Sequence, residues 1–104
     1  MFRAVVVFGL FATALPARGA GISDADALAI VERHCVMCHA AAPSHESFSE
    51  PPKNVTLETI ADIRKHASAM YTQTVQTKAM PLGNQTNMTD SERIALGAWL
   101  REQP

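Results

Sequence analysis

The sequence has few of the residues that usually stabilise a small domain. Its 104 residues include two cysteines, one tryptophan, one tyrosine and four phenylalanines. Three of the phenylalanines, Phe2, Phe8 and Phe11, lie near the start of the chain. Two cysteines allow at most one disulfide, and the aromatic side chains left for a core are few. A domain of this size buries little of its own surface, so we expect a cofactor or another staple.

The apolar stretch near the start of the chain is too short for an ordinary transmembrane helix. It runs over 12 residues, from Ala4 to Leu15, whereas a membrane span needs about 20. Arg3 precedes it, and Pro16 and several small residues follow. This order is typical of a secretory signal peptide. We therefore predict a signal peptide over residues 1–20, with the cleavage site open, and a single domain over residues 21–104. An uncleaved membrane anchor is the alternative.

The charge balance excludes one large class of partner. The formal charge of the chain is −1. Without Arg3 and Arg18, seven cations face ten carboxylates, which gives −3. Nucleic-acid-binding domains carry a basic stripe or patch, and we see none here. Nucleic acid is therefore not an expected partner.

Both cysteines lie in one motif, Cys35-Val36-Met37-Cys38-His39. This is the C-x-x-C-H pattern of covalent haem attachment. Each thiol can add to one vinyl group of a haem, and the adjacent imidazole can bind the iron. The motif predicts one haem c, held by Cys35 and Cys38, with His39 as the proximal ligand. Attachment of haem c after export fits the predicted signal peptide.

Two other interpretations of the motif stay open. A thioredoxin-like dithiol needs a surrounding βαβ pattern, and we see no strand signals. A zinc site needs two further ligands, which His45 and His66 could supply, although neither belongs to a second paired motif. We interpret His45 as a surface residue and His66 as part of a solvated helix face.

Apolar spacing predicts three helices and no strands. The first runs from about Asp24 to Val36, capped at Ser23, with Ala27, Ile30 and Val31 on its inner face. The second runs from Ile60 to about Thr77, capped at Thr59, with a possible break near Ala67 and Ser68. The third runs from Asp90 to about Arg101, and its apolar side is expected to carry Ile94, Ala95, Ala98 and Trp99. Thr89 and Glu92 form its capping box.

Further expectations concern residues around the motif. We expect His34 to be solvated or beside a haem propionate. A carbonyl near Pro43 or Pro51 is expected to accept the Nδ1 proton of His39. Gly97 lowers helix stability unless close packing requires it, so we expect the first and last helices to cross there. Trp99 is interpreted as core, with a propionate hydrogen bond as the alternative.

Met80 is the expected distal ligand of the iron. Pro81 biases it away from helical geometry, which puts it on a loop. A thioether is a soft ligand that suits haem iron and raises the reduction potential. Met88, His66 and an open distal position are the alternatives. Because Met88 is next to the helix cap at Thr89, we interpret it as a packing residue.

These elements together resemble a class I cytochrome c. That family has helices around one haem, a histidine ligand from C-x-x-C-H and a methionine ligand from a loop before the last helix. The resemblance implies a small, all-α fold packed around one covalent haem, with Cys35, Cys38, His39 and Met80 at the haem. Within this family, the sequence is most similar to the cytochrome c domain at the C-terminus of membrane-bound urate hydroxylases. The similar segments are Pro51-Pro52-Lys53, Ala79 to Asn84, Met88-Thr89-Asp90 and Glu92-Arg93.

The resemblance implies electron transfer rather than catalysis. We expect a periplasmic single-electron carrier that is not an enzyme itself and that is a monomer or forms transient complexes with redox partners. One alternative is a free-standing electron-accepting subunit of a membrane urate-oxidising system, although the multi-span membrane domain of those enzymes is missing. Another is a haem sensor or peroxidase in which the distal ligand leaves.

Overall fold

A computed structural model describes residues 4–6, 9 and 21–104. The predicted signal peptide, residues 1–20, lies almost wholly outside the described residues. Within them the structure is helical and contains no strand, so the described part of the chain is all-α. None of the helices described is both long and apolar enough to cross a membrane.

Helix α1 spans Asp24–His34 and ends before the cysteine motif. Its cap is as predicted, since the Ser23 hydroxyl accepts a hydrogen bond from the Asp26 backbone at 3.1 Å. The predicted inner face is confirmed, because Ala27, Ile30 and Val31 are all buried. The predicted extension to Val36 is wrong, because the backbone leaves helical geometry at Cys35 (φ −123°, ψ −38°).

The second predicted helix is divided into three short pieces. These are α2 (Ile60–Lys65), α3 (Ala67–Tyr71) and a π-helical turn (Thr72–Gln76). The break between α2 and α3 is at His66, one residue before the predicted position. In the last piece the Thr74 hydroxyl donates to the Met70 carbonyl at 2.6 Å. Hydroxyl bonds to the preceding turn compete with the backbone ladder and bend helices.

Helix α4 spans Asp90–Arg101, as predicted. Its capping box is confirmed, since Thr89 and Glu92 exchange side-chain and backbone hydrogen bonds. The predicted apolar side is wrong at Ile94, which is 72% exposed. The buried face is turned by about one residue and carries five residues: Arg93, Leu96, Gly97, Trp99 and Leu100.

Gly97 is required by close packing, but its neighbour is not the first helix. A Cβ at this position would lie 2.8 Å from Cγ2 of Val75 and 3.5 Å from a ring carbon of Tyr71. The expected crossing with α1 at this point is therefore wrong. The end of α3 and the π-helical turn pack against Gly97.

Trp99 joins the last helix to the start of the first. It is 2% exposed, which fits its interpretation as core. Its indole N–H donates to the Asp24 carboxylate at 3.0 Å. Because an indole has a single donor, the Asp24 carboxylate is the hydrogen-bond partner of Trp99 in this structure.

Candidate functional site

The cysteine motif forms a tight turn directly after α1. The backbone N–H groups of Cys38 and His39 both donate to the Cys35 carbonyl, at 3.2 and 2.9 Å. Both thiols are free; Cys35 is buried and Cys38 is half-buried. The turn therefore keeps the two sulfur groups and the imidazole on one short segment.

The protonation of the two thiols bears on the choice between interpretations. Burial, with a smaller contribution from the charge of Cys38, raises the pKa of Cys35 to about 12. Burial also raises the pKa of Cys38. Redox-active C-x-x-C motifs depend on a thiolate with a lowered pKa. The direction of both shifts therefore counts against a thioredoxin-like dithiol.

The imidazole of His39 is oriented by a backbone carbonyl. Its Nδ1 lies 2.9 Å from the carbonyl oxygen of Val55. A carbonyl can only accept, so Nδ1 is the donor in this contact, and in a neutral imidazole Nε2 is then the nitrogen with the lone pair. The expected carbonyl acceptor from the loop near Pro51 exists, and it is the carbonyl of Val55. The backbone of the same segment is tied down as well, since the N–H of Leu57 donates to the His39 carbonyl at 2.8 Å.

Both ring nitrogens of His45, one of the two histidines considered for a zinc site, take part in hydrogen bonds. His45 Nε2 lies 3.1 Å from the side-chain oxygen of Gln85, and its Nδ1 accepts from the Ser47 backbone at 3.1 Å. His66 is half-buried at the helix break rather than on a solvated face. In residues 21–104 no three His, Cys, Asp or Glu side chains form a group that could hold a metal ion.

Met80 lies on a loop, as predicted, and both its backbone N–H and its backbone carbonyl form hydrogen bonds. Its N–H donates to the Gln73 carbonyl at 3.0 Å, and its carbonyl accepts from Arg93 at 2.7 Å. The following Pro81 is buried, whereas Met80 itself is half-buried. The thioether is thus carried by a fixed backbone.

Met88 occupies a different environment. It is 4% exposed and belongs to the main hydrophobic core. Its backbone N–H and carbonyl are both bonded to the side chain of Asn84, at 3.0 and 3.1 Å. This burial agrees with the interpretation of Met88 as a packing residue.

The loop that carries Met80 is attached on both sides of the cysteine motif. Before the motif, His34 Nδ1 lies 2.8 Å from the Thr86 hydroxyl. After it, His45 is bonded to Gln85. The structure therefore brings the 80–88 loop against the segment that contains Cys35, Cys38 and His39.

The solvated position expected for His34 is wrong. The residue is 6% exposed, and its Nε2 lies 2.8 Å from Glu92 Oε2, which also accepts from Arg33 at 3.0 Å. Burial raises the pKa of Glu92, but the Thr89 backbone, Arg33 and His34 outweigh that effect and lower it from 4.5 to about 2. His34 therefore links α1, the 80–88 loop and the start of α4.

Sequence reasoning also missed Arg93. This side chain is 6% exposed and donates to the carbonyls of Thr74 and Met80. Helical spacing could have indicated that both His34 and Arg93 are buried. His34 lies on the same face of α1 as Ala27 and Val31, and Arg93 lies on the same face of α4 as Leu100. The residue types, which are usually exposed, concealed this signal.

A cavity of about 580 Å³ lies apart from the cysteine motif. It is bounded by α2, α3 and the end of α4, and its lining includes Arg64, Lys65, Tyr71 and Arg101. None of Cys35, Cys38, His39 and Met80 lines it.

Comparison with known proteins gave no match to a family model, to a curated protein or to a solved structure.

The residues at the motif fit a covalent haem. The two thiols have the C-x-x-C-H spacing through which a haem could be attached at its vinyl groups, and a neutral imidazole of His39 would offer Nε2 to the iron. The Met80 thioether lies on the loop that is attached through Thr86 and Gln85, and it would be a soft ligand of the kind that haem iron accepts.

Proposed function

We propose that the chain is an exported c-type cytochrome with one haem, which transfers single electrons. Cys35 and Cys38 form the thioethers, His39 is the proximal ligand and Met80 the distal ligand. The observation that carries the proposal is the hydrogen bond from His39 Nδ1 to the Val55 carbonyl. A hydrogen bond of this kind is the usual outer partner of a metal-binding histidine, because it fixes the ring and raises its basicity.

Each of the other residues has a definite task in this proposal. The turn from Cys35 to His39 sets the register between thiols and imidazole. The attachments of the 80–88 loop at Thr86 and Gln85 hold the loop that carries Met80 against the segment around that turn, which supports Met80 as the ligand. When bound, the haem supplies a one-electron couple. Two protein ligands leave no open position for a substrate, so the chain acts as an electron carrier rather than as an enzyme.

Family and location belong to the same proposal. The residues that resemble class I cytochromes c and the all-α structure of residues 21–104 support membership of that family. The apolar stretch from Ala4 to Leu15, preceded by Arg3, supports export to the periplasm. The redox partners are proposed to be other proteins that make small, transient contacts with the carrier.

The proposal is tested by expressing the full chain together with a bacterial apparatus for haem c maturation. The denatured protein is expected to retain one haem by mass, and the purified protein to show a reversible one-electron couple. Cys35→Ser combined with Cys38→Ser should lose the haem on denaturation. Met37→Leu is the matched control, because it changes the same motif without removing a thiol or the imidazole.

Two results would contradict the proposal. A wild-type protein that is matured under these conditions without covalent haem would overturn it. Stoichiometric zinc bound through Cys35 and Cys38 would replace it with the zinc interpretation.

A further inference from the structure

Arg93 is a buried cation whose hydrogen bonds all go to the segments around Met80. It is 6% exposed. Its Nη1 donates to the Thr74 carbonyl at 2.8 Å and to the Met80 carbonyl at 2.7 Å. Its Nη2 donates to the side-chain oxygen of Asn84 at 3.4 Å. One side chain of α4 thus contacts the π-helical turn, the Met80 backbone and the turn that follows Pro81.

The three acceptors are neutral oxygens. Burial of a charged group is unfavourable unless hydrogen bonds satisfy it. Bonds to a charged donor are stronger than bonds between neutral groups. The guanidinium therefore connects the three segments through charge-assisted hydrogen bonds. Asp90, one turn earlier, lines the small cavity beside Arg93.

The Met80 carbonyl depends on this contact for its position. The N–H of the same residue is held by Gln73, so Arg93 supplies the second of two restraints on one peptide. Asn84, the third acceptor, also holds both backbone groups of Met88. The loop is thereby fixed at Met80 and connected, through Asn84, to the core methionine.

We propose that Arg93 is a positioning residue for the distal ligand: it holds the Met80 backbone so that the thioether stays on the iron. The inference rests on the proposed function, because it requires Met80 ligation. It predicts that loss of the guanidinium favours replacement of Met80 by an external ligand without removing the haem. A residue with a merely structural role would lower stability and leave ligand exchange unchanged.

The test uses haem-loaded, ferric protein and imidazole as the competing ligand. Imidazole binding is measured as the decrease of the far-red absorption band that arises from sulfur-to-iron ligation. Arg93→Gln is expected to bind imidazole about tenfold more tightly than wild type, which corresponds to about 1.4 kcal/mol. Leu96→Ala is the matched control, because Leu96 is fully buried on the same helix. It should lower the unfolding midpoint and leave imidazole affinity within about twofold of wild type.

Arg93→Lys is the second variant, for use if the glutamine variant fails to fold. It keeps the charge but lacks the planar fork, so we expect it to bind imidazole about threefold more tightly than wild type. If the folded Arg93 variants bind imidazole as weakly as wild type, or if Leu96→Ala shows an equal increase in affinity, the role of Arg93 is overturned. The proposed Met80 ligation is not affected by either result. Absence of the far-red band in wild type would overturn Met80 ligation and the inference with it.

Discussion

The Nδ1 atom of His39 donates a hydrogen bond to the carbonyl oxygen of Val55, sixteen residues later in the chain, at 2.9 Å. This contact uses Nδ1 as the donor, so Nε2 is the ring nitrogen left to bind a metal when the imidazole is neutral. It also gives the loop between α1 and α2 a task. The loop places the backbone carbonyl of Val55 within hydrogen-bonding distance of the His39 imidazole.

We expect the side chain of His34 to contribute more to the free energy of unfolding than that of its neighbour Arg33. His34→Ala removes bonds to Thr86 and Glu92 from a side chain that is 5% exposed. The free energy of unfolding should fall by about 2–4 kcal/mol. Arg33→Ala removes a bond to the same Glu92 oxygen, but this side chain is 57% exposed, so the loss should be at most about 1 kcal/mol. Denaturant titration measures both, and equal losses would contradict the structure.

Acid is expected to weaken the protein partly through Glu92. The pKa of this carboxyl is lowered from 4.5 to about 2 on folding. Its contribution to stability is therefore present above 4.5 and is lost as the pH falls towards 2. Glu92→Gln should be less stable than wild type at neutral pH, and the difference should shrink over that acidic range. Denaturant unfolding at pH values from about 6 down to about 2 measures it.

Glu32→Gln is the control for this pH dependence. It removes the same charge from an exposed position of α1. A wild-type advantage over Glu92→Gln that stayed constant down to the acid end, or an identical profile for Glu32→Gln, would show that the Glu92 contacts do not act as described.

Gly97→Ala is expected to destabilise the protein although alanine favours helices. The added Cβ would lie 2.8 Å from Cγ2 of Val75. Overpacking of this kind costs about 1–3 kcal/mol, against a gain of about 1 kcal/mol in helix propensity. In a Val75→Ala background the clash is gone, so the same substitution should be neutral or stabilising. Unfolding free energies of the four proteins form the double-mutant cycle, and a loss in both backgrounds would disprove the contact.

The helices could be predicted from the sequence largely because their signals are local. The caps at Ser23, Thr59 and Thr89 each need only a hydroxyl and a spacing of three residues, and all three are present in the structure. The end of α1 was predicted too late, whereas the predicted break in the second helix lies within one residue of the one at His66. Such boundaries depend on tertiary packing, which apolar periodicity does not show.

The site was predictable in its chemistry but not in its support. Cys35, Cys38, His39 and Met80 stand out by type and spacing, and their roles at a haem stay a prediction. Val55 contributes only a backbone carbonyl, and because every residue has one, the residue type does not indicate this role. His34 and Arg93 are polar side chains on buried helix faces, where residue type and position give opposite indications. Only the fold shows that hydrogen-bond partners from distant segments satisfy them.

The most direct test of the account is the ferric visible spectrum of haem-loaded wild type, Met80→Ala and Met88→Ala. Ligation by Met80 predicts a weak far-red band in wild type that is lost in Met80→Ala and retained in Met88→Ala. Met88→Ala should instead lower stability by about 2–5 kcal/mol, because Met88 is a core residue. A wild-type spectrum without the band, or a band that survives Met80→Ala, would contradict a His39/Met80 electron carrier.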